Sequence, residues 1–392
     1  MVASPTLIEQ HRGGLRLLVL QPTPFCNIDC SYCYLADRTD KSRMSADTVL
    51  GVLDNLLADG LIGSELDLCW HLGEPLTVGR PYYEDMVPRI ARFADGKFIP
   101  RHTFQTNGVL IDPAWCAFFK RIDAYVGLSL DGPEEFHDAN RITRSGKGTH
   151  ARVTAGLRLL QQWQVKRYII AVLGPQALRH PDRIFEYFTD LAETNVCFNI
   201  EETEGINISR TAGSAGACAD TRIFFRRFLE RLNAAPGKLW NRDLQQMLGL
   251  LMTARNGGCH NENNTPFRIV SVAWDGSWTT FSPELITTAA PQYGHFRFGN
   301  LAREPVSRAV ERQPFIAVAR DIQAGIDRCR AECSYFSVCG GGAPSNKFSE
   351  LGTLCGTETF ACRSMVKSLA DGCMDFIEAN VLHGGAADAA AG

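Results

Sequence analysis

The sequence predicts an α/β fold: an open, partial (β/α)6 TIM-like barrel followed by a cysteine-rich extension. Three observations carry this. Between residues 15 and 203, strand-like runs alternate with helix-like runs, six units counted loosely, and such alternation marks a parallel sheet covered by helices. The strand runs are too apolar to leave one face in water. Six units fall short of the eight of a closed barrel, so the sheet is expected to stay open.

Leu15–Leu20 (LRLLVL) reads as a buried strand, and Ser45–Asp59 as a helix with Ser45 as N-cap. Strands are expected next at Glu65–Trp70, His102–Gln105, Ala124–Leu130, Arg167–Val172 and Val196–Glu201. Helices are expected between them at Pro81–Phe93, Pro113–Lys120, Thr149–Gln161 and Pro181–Leu191. A small-residue stretch, Thr211–Ala219, marks a break, and helical patterns follow at Ala219–Leu232 and Arg242–Ala254. Ile269–Trp274 and Ser277–Phe281 flank Asp275-Gly276, a hairpin signal. From Arg328 the chain is rich in Cys and Gly, then helical around Phe360–Ala379. The expected division is a barrel over 1–210, a helical linker over 211–258, a cysteine-rich domain over 259–383 and a disordered tail over 384–392.

The 392 residues carry 40 Lys and Arg against 43 Asp and Glu, a balance of −3. That excludes a general nucleic-acid footprint. Met1–Gln21 lacks the apolar run and cleavage site of a secretory signal. No apolar stretch reaches 18 residues, so no membrane span is expected. The expected location is cytoplasmic, where thiols stay reduced. The 14 cysteines then need another account: metal, catalysis or burial.

Cys26, Cys30 and Cys33 form C-x3-C-x2-C directly after the first strand. Three thiolates on one loop suit three irons of a [4Fe–4S] cubane and leave the fourth iron open to a small molecule. A zinc knuckle borrowing a ligand such as His71 is the competing reading. With Tyr32 before the last Cys, this segment resembles the signature of the radical S-adenosylmethionine (SAM) enzymes. The resemblance continues in order. Leu72-Gly73-Glu74-Pro75 is similar to the G-G-E-P motif that holds the SAM amino group, with Leu72 replacing the first Gly. Thr106-Asn107-Gly108 resembles the T-N-G near the SAM site. Ser129-Leu130-Asp131-Gly132-Pro133, His137-Asp138 and Arg141 resemble the block of the peptide-modifying branch in which the Ser and the Arg contact SAM. Asn199-Ile200-Glu201-Glu202 closes the sixth strand. All these pieces follow expected strands, where open α/β sheets bind ligands. The resemblance implies SAM on the open iron, one electron from a reductase such as flavodoxin or ferredoxin, and a 5′-deoxyadenosyl radical that takes a hydrogen atom from the substrate.

Cys329-x3-Cys333-x5-Cys339, a Gly-rich run, and then Cys355 and Cys362 resemble the SPASM extension, which usually holds two auxiliary [4Fe–4S] clusters. Zinc again competes on spacing. Two family cysteines are missing: Phe281 stands at one position and Ala343 at the other. The expectation is one auxiliary cluster on Cys329, Cys333, Cys339 and Cys362, with Cys362 favoured over Cys355 as the fourth ligand. Cys259, Cys373, Cys69, Cys116, Cys197 and Cys218 are read as ordinary buried thiols.

Cys339–Lys347 (CGGGAPSNK), Phe281–Leu285 (FSPEL) and Glu358-Thr359 resemble a subgroup of ribosomal-peptide maturases that act on Gly-rich-repeat precursors and form three-residue cyclophanes. The resemblance implies a precursor peptide as substrate, with an aromatic ring carbon joined to the β-carbon two residues later. Glu284, Glu201 and Glu202 are the candidate bases for the ring proton, against a surface or capping role for each. The first strand begins near Leu15, so no winged-helix leader module is expected before it. Arg144 and Lys147 in Arg141–Lys147 (RITRSGK) read as a solvated loop. Formylglycine formation resembles a pattern with Asp just beyond the Phe281 position, where this chain has Ser282. Epimerisation, thioether formation and a non-catalytic iron–sulfur or zinc protein also compete with the crosslinking reading.

Overall fold

The computed structural model describes residues 6–193, 195–253 and 260–382. Six parallel strands follow the expected alternation: β1 (Leu15–Leu20), β2 (Ile62–Trp70), β3 (Ile99–Thr106), β4 (Tyr125–Ser129), β5 (Lys166–Leu173) and β6 (Asn195–Ile200). They pair in sequence order, each with the next. Five helices cover the outer face: α1 (Ala46–Ala58), α2 (Arg80–Ala94), α3 (Pro113–Arg121), α4 (His150–Gln162) and α5 (Pro181–Asp190). Side-chain caps start two of them. Ser45 accepts from the Thr48 amide at 3.0 Å, and Asp112 from the Trp115 amide at 2.7 Å. Each cap satisfies an amide that the first helical turn leaves unpaired.

The sheet is open, as expected, but longer than six strands. A two-residue strand, β7 (Trp240–Asn241), extends it beyond β6. The Asp275-Gly276 hairpin forms as β8 (Ile269–Val272) and β9 (Trp278–Thr280), and it does not stand apart in the extension. β8 pairs parallel with β1, Leu17 opposite Ile269 and Leu20 opposite Val272. The barrel sheet thus runs across the boundary expected at residue 259. An exposed β1 edge would present a row of unpaired amides and carbonyls, and β8 covers it.

Two helices, α6 (Ala217–Ala234) and α7 (Arg242–Thr253), lie in the expected linker. A 20-residue helix, α8 (Gln313–Glu332), was not expected, and it carries Cys329 in its last turn. α9 (Pro344–Leu351) follows the Gly-rich run. The C-terminal helical stretch begins as a π-helical segment, Cys362–Ser368, and continues as α10 (Leu369–Ile377). Cys259, the end of the expected helix at Ala254 and the tail 384–392 lie outside the described residues. Cys116, Cys197 and Cys373 are buried as expected, whereas Cys69 and Cys218 are half-buried. Among the described residues no helix is long and apolar enough to cross a membrane.

Candidate functional site

The loop after β1 carries the three N-terminal thiols and is clamped on both sides. Backbone bonds tie Asp29 to Ile142 at 2.7 Å and Ser31 to Asn140 at 2.9 Å. Arg144 is exposed, yet its guanidinium donates to the Cys26 carbonyl at 2.7 Å and to the Arg38 carbonyl. It therefore braces the cysteine loop, a role the solvated-loop reading missed. Asn107 Nδ2 points at Cys26 Sγ from 3.8 Å and donates to Asn27 at 2.8 Å. Arg141 points an N–H at Cys30 Sγ from 4.0 Å.

These thiols border a cavity of about 450 Å³ at the C-terminal ends of the strands. Burial, then the Glu74 charge, pushes Cys26 up to about 12; burial pushes Cys30 up to about 11 despite Arg141. A cationic iron centre reverses this balance, because a coordinating thiol gives up its proton. Among the described residues no three His, Cys, Asp or Glu side chains converge on one ion. Thiols spread around a cavity, with N–H donors aimed at two sulfurs, fit a cluster.

Most of the motif residues build the walls. Gly73 has φ +129°, and a Cβ there would collide with the Thr23 carbonyl. Leu72, where the family pattern has Gly, has φ +68° and is fully buried. Gln21 Nε2 holds its carbonyl at 2.7 Å. Glu74 is buried and accepts from Thr106 Oγ at 2.7 Å, the Asn107 amide at 2.8 Å and the Leu76 amide at 3.0 Å. It stitches the end of β2 to the end of β3, and Pro75 opens the turn that follows. Asp131 is equally occupied. It accepts from the Val172 amide at 2.9 Å, from Arg141 Nε at 3.0 Å and from the Tyr32 hydroxyl. His137 Nδ1 accepts from the Asp131 amide at 3.3 Å and its carbonyl accepts from the Arg141 amide at 2.8 Å, while Asp138 accepts from the Thr149 and His150 amides, so the His-Asp pair is scaffold for the Arg141 turn. Tyr32, Gly73, Glu74, Thr106, Asn107, Ser129 and Arg141 line the cavity itself, whereas Pro75 and Asp131 stand behind it.

The far wall is acidic. Glu201, Glu202, Glu204 and Glu284 all line the cavity. Glu201 is already committed: Arg210 and Thr211 occupy its two oxygens, at 3.3 and 3.0 Å. Glu204 was missed by sequence reasoning, although it sits two residues past the Glu201-Glu202 pair. It accepts from Ser345 Oγ at 2.8 Å and Asn346 Nδ2 at 3.0 Å, and Asn346 also donates to Glu202 at 2.8 Å. Burial, then the charges of Glu284 and Glu202, push Glu204 well above the carboxylate range. Burial pushes Glu202 up to about 7, opposed by the Asn346 hydrogen bond, and burial also raises Glu284. Burial and mutual repulsion keep Glu202, Glu204 and Glu284 from all ionising together, so these carboxyls hold protons more tightly than free ones do.

A second cavity, of about 990 Å³, is lined by Cys329, Cys333, Cys339 and Cys362, and Cys355 is absent from its lining. Cys355 lies instead near Tyr293 and Arg320. Asn261 and Asn264 hold the Gly-rich turn through the Cys339 and Gly340 carbonyls, at 3.0 and 2.8 Å. The two cavities share a wall of Glu202, Asn263, Ala343 and Asn346. Phe281, at one missing-cysteine position, is buried and stacks on Phe315 with centroids 6.4 Å apart.

Thiols at the mouth of an open parallel barrel, with a second thiol-lined cavity behind, define a cluster-dependent barrel enzyme. Residues 20–188 match the family model of the Radical SAM superfamily. The uncharacterized protein sll1766 of Synechocystis sp. is 38% identical over 364 residues, 92% of this chain and 91% of that one. The serine-type anaerobic sulfatase-maturating enzyme of Klebsiella aerogenes is 26% identical over 330 residues, 82% of this chain and 78% of that one. Among solved structures, native anSMEcpe with bound AdoMet and Cp18Cys peptide superposes with a TM-score of 0.74 at 19% identity, covering 94% and 98% of the two chains. Streptococcus suis SuiB bound to its precursor peptide SuiA gives 0.62 at 14% identity, covering 89% and 76%. The chain belongs to the radical SAM superfamily. It is an enzyme of that superfamily, related to the sulfatase-maturating enzymes and sharing its fold with them and with SuiB.

Proposed function

We propose that this enzyme modifies a ribosomally made precursor peptide, joining an aromatic ring carbon to the β-carbon of the residue two later, with net loss of two hydrogens. Cys26, Cys30 and Cys33 would hold the SAM cluster; Cys329, Cys333, Cys339 and Cys362 would hold one auxiliary cluster. When bound, these groups and SAM supply the one-electron chemistry that abstracts a hydrogen atom. Asn107, Ser129 and Arg141 reach the cavity to orient SAM. Glu74, Asp131 and Tyr32 have their polar atoms engaged within the protein and act by fixing that wall. The likeness to anSMEcpe and SuiB, both solved with peptides, supports a peptide substrate. The buried ring of Phe281 at a missing-cysteine position supports a single auxiliary cluster.

The observation that carries the reading is the carboxylate wall of the smaller cavity, of which Glu202 also borders the larger. Forming the crosslink releases a ring proton, and Glu204, Glu202 and Glu284 offer protonatable oxygens there, while Glu201 is tied to Arg210 and Thr211. Serine oxidation to formylglycine is the second reading, favoured by the likeness to the Klebsiella aerogenes enzyme. Against it, the position just beyond Phe281, where that pattern has Asp, holds Ser282, a fully buried hydroxyl that accepts from the Ser345 amide at 3.5 Å and supplies no carboxylate. The test is co-production with an aromatic-containing precursor encoded nearby, followed by tandem mass spectrometry. Loss of two hydrogens, with fragmentation blocked across three residues, is expected. A product that reacts with hydroxylamine as an aldehyde, or one with unchanged mass and an exchanged α-hydrogen, would refute the crosslink.

A further inference from the structure

Lys347 is 4% exposed and lines the larger cavity, beside the four C-terminal thiols. Its Nζ lies 3.5 Å from Cys329 Sγ, and among the described residues that sulfur is the one hydrogen-bond or ion-pair partner the amine finds. Lysine is almost never buried unpaired, because stripping water from its amine is costly. A neutral thiol repays little of that cost. Cluster-bound thiolates, which carry net negative charge, repay much more. The surrounding chain is shaped to admit the amine. Gly325 sits inside α8, where glycine weakens a helix; a Cβ there would lie 3.0 Å from Lys347 Nζ and would collide with the Leu354 carbonyl. The two residues before Lys347 turn the other way, Ser345 and Asn346 holding Glu204. One turn of α9 therefore touches both cavities.

We propose that Lys347 is a positioning residue of the auxiliary cluster: its N–H donates to the Cys329 sulfur and raises the reduction potential of the group held by Cys329, Cys333, Cys339 and Cys362. This rests on the auxiliary-cluster reading above. Donors to cluster sulfurs stabilise the reduced, more negative form, and such outer partners tune bound metal centres strongly.

The test is an anaerobic redox titration of the reconstituted full-length protein, followed by electron paramagnetic resonance, with iron counted in parallel. Lys347→Met removes the donor and Lys347→Arg keeps one. The expected result is an auxiliary potential lower in Lys347→Met by at least a tenfold change in the oxidised-to-reduced ratio, about 59 mV for a one-electron couple, with Lys347→Arg closer to wild type. Loss of auxiliary iron in Lys347→Met but not in Lys347→Arg would also support a required donor. An unchanged potential in Lys347→Met with full iron would overturn the proposal, and so would loss of auxiliary iron from both variants. Wild-type protein with about four irons would instead refute the auxiliary cluster itself, a failure separate from that of Lys347.

Discussion

Replacing Arg141 by Met should destabilise the enzyme strongly, and restoring charge balance should recover part of the loss. Asp131 is 1% exposed, and Arg141 is also buried. Removing one partner of such a pair strands the other charge, at a typical cost of about 3–5 kcal/mol. Here Asp131 keeps two donors, the Val172 amide at 2.9 Å and the Tyr32 hydroxyl. That places the expected loss at the lower end, about 3 kcal/mol. Unfolding entropy scales as about 2.1 cal/mol/K per residue, or about 0.8 kcal/mol/K for 392 residues, so the melting temperature should fall by about 4 °C. The double variant Asp131→Asn/Arg141→Met removes the stranded charge while Asn Oδ1 still accepts from Val172, so it should be more stable than Arg141→Met alone. Thermal unfolding followed by circular dichroism, on anaerobic protein matched for iron content, measures both steps. A loss below about 1 kcal/mol, or a double variant no better than the single, would mean that water already shares this pair, and the buried-network argument would fail.

Three further outcomes follow from the same geometry. Burial pushes Glu74 up to about 7, above its ordinary 4.5, so its contribution to stability is full below about 4.5 and is lost as pH rises through about 7; denaturant midpoints measured from pH 4 to 8 should show that slope in wild type and a shallower one in Glu74→Gln. Cys362→Ala should lose about four irons per chain, whereas Cys355→Ala should lose none, by iron and sulfide analysis after reconstitution. Glu204→Gln should keep 5′-deoxyadenosine formation while slowing crosslinking by about 10²–10⁴-fold, the scale of a lost general base; Glu201→Gln should mainly lower stability, by about 1–3 kcal/mol, because it disturbs the Arg210 and Thr211 bonds.

The barrel was legible because its signals are local. Alternating apolar runs, the Ser45 N-cap and motifs placed just after strands each occupy a few consecutive residues. The parallel pairing of β8 with β1 was not legible, because it joins segments some 250 residues apart and no short pattern encodes it. α8 was not legible for another reason: Arg312 stands at its N-cap position and makes no side-chain cap bond, so no local start signal precedes it. The three N-terminal thiols and most of the strand-end residues singled out in the sequence line one cavity, but the division of labour among them was not legible. Glu74 and Asp131 spend their oxygens on neighbouring strands, which only the folded contacts reveal.

Two of the three departures from the family pattern share one physical theme. Leu72 and Phe281 both stand where the pattern has another residue, and both have positive φ, at 68° and 74°. A side chain in that region is strained and persists only where its surroundings hold it. Leu72 is fixed by the Gln21 amide on its carbonyl, and Phe281 by the rings around Phe315. The backbone path is therefore kept while the side chains change what the path is used for. At Leu72 the change costs little chemistry, because Gly73 still provides the close approach to the Thr23 carbonyl. At Phe281 it replaces a thiol with a buried ring. Ala343 differs: its backbone is ordinary extended, with φ −85°, and it lies in the wall shared by the two cavities. With Phe281 and Ala343 at those positions, Glu202, Asn263, Ala343 and Asn346 form the wall that the two cavities share, and Asn346 ties Glu202 to Glu204 on the side of the smaller one.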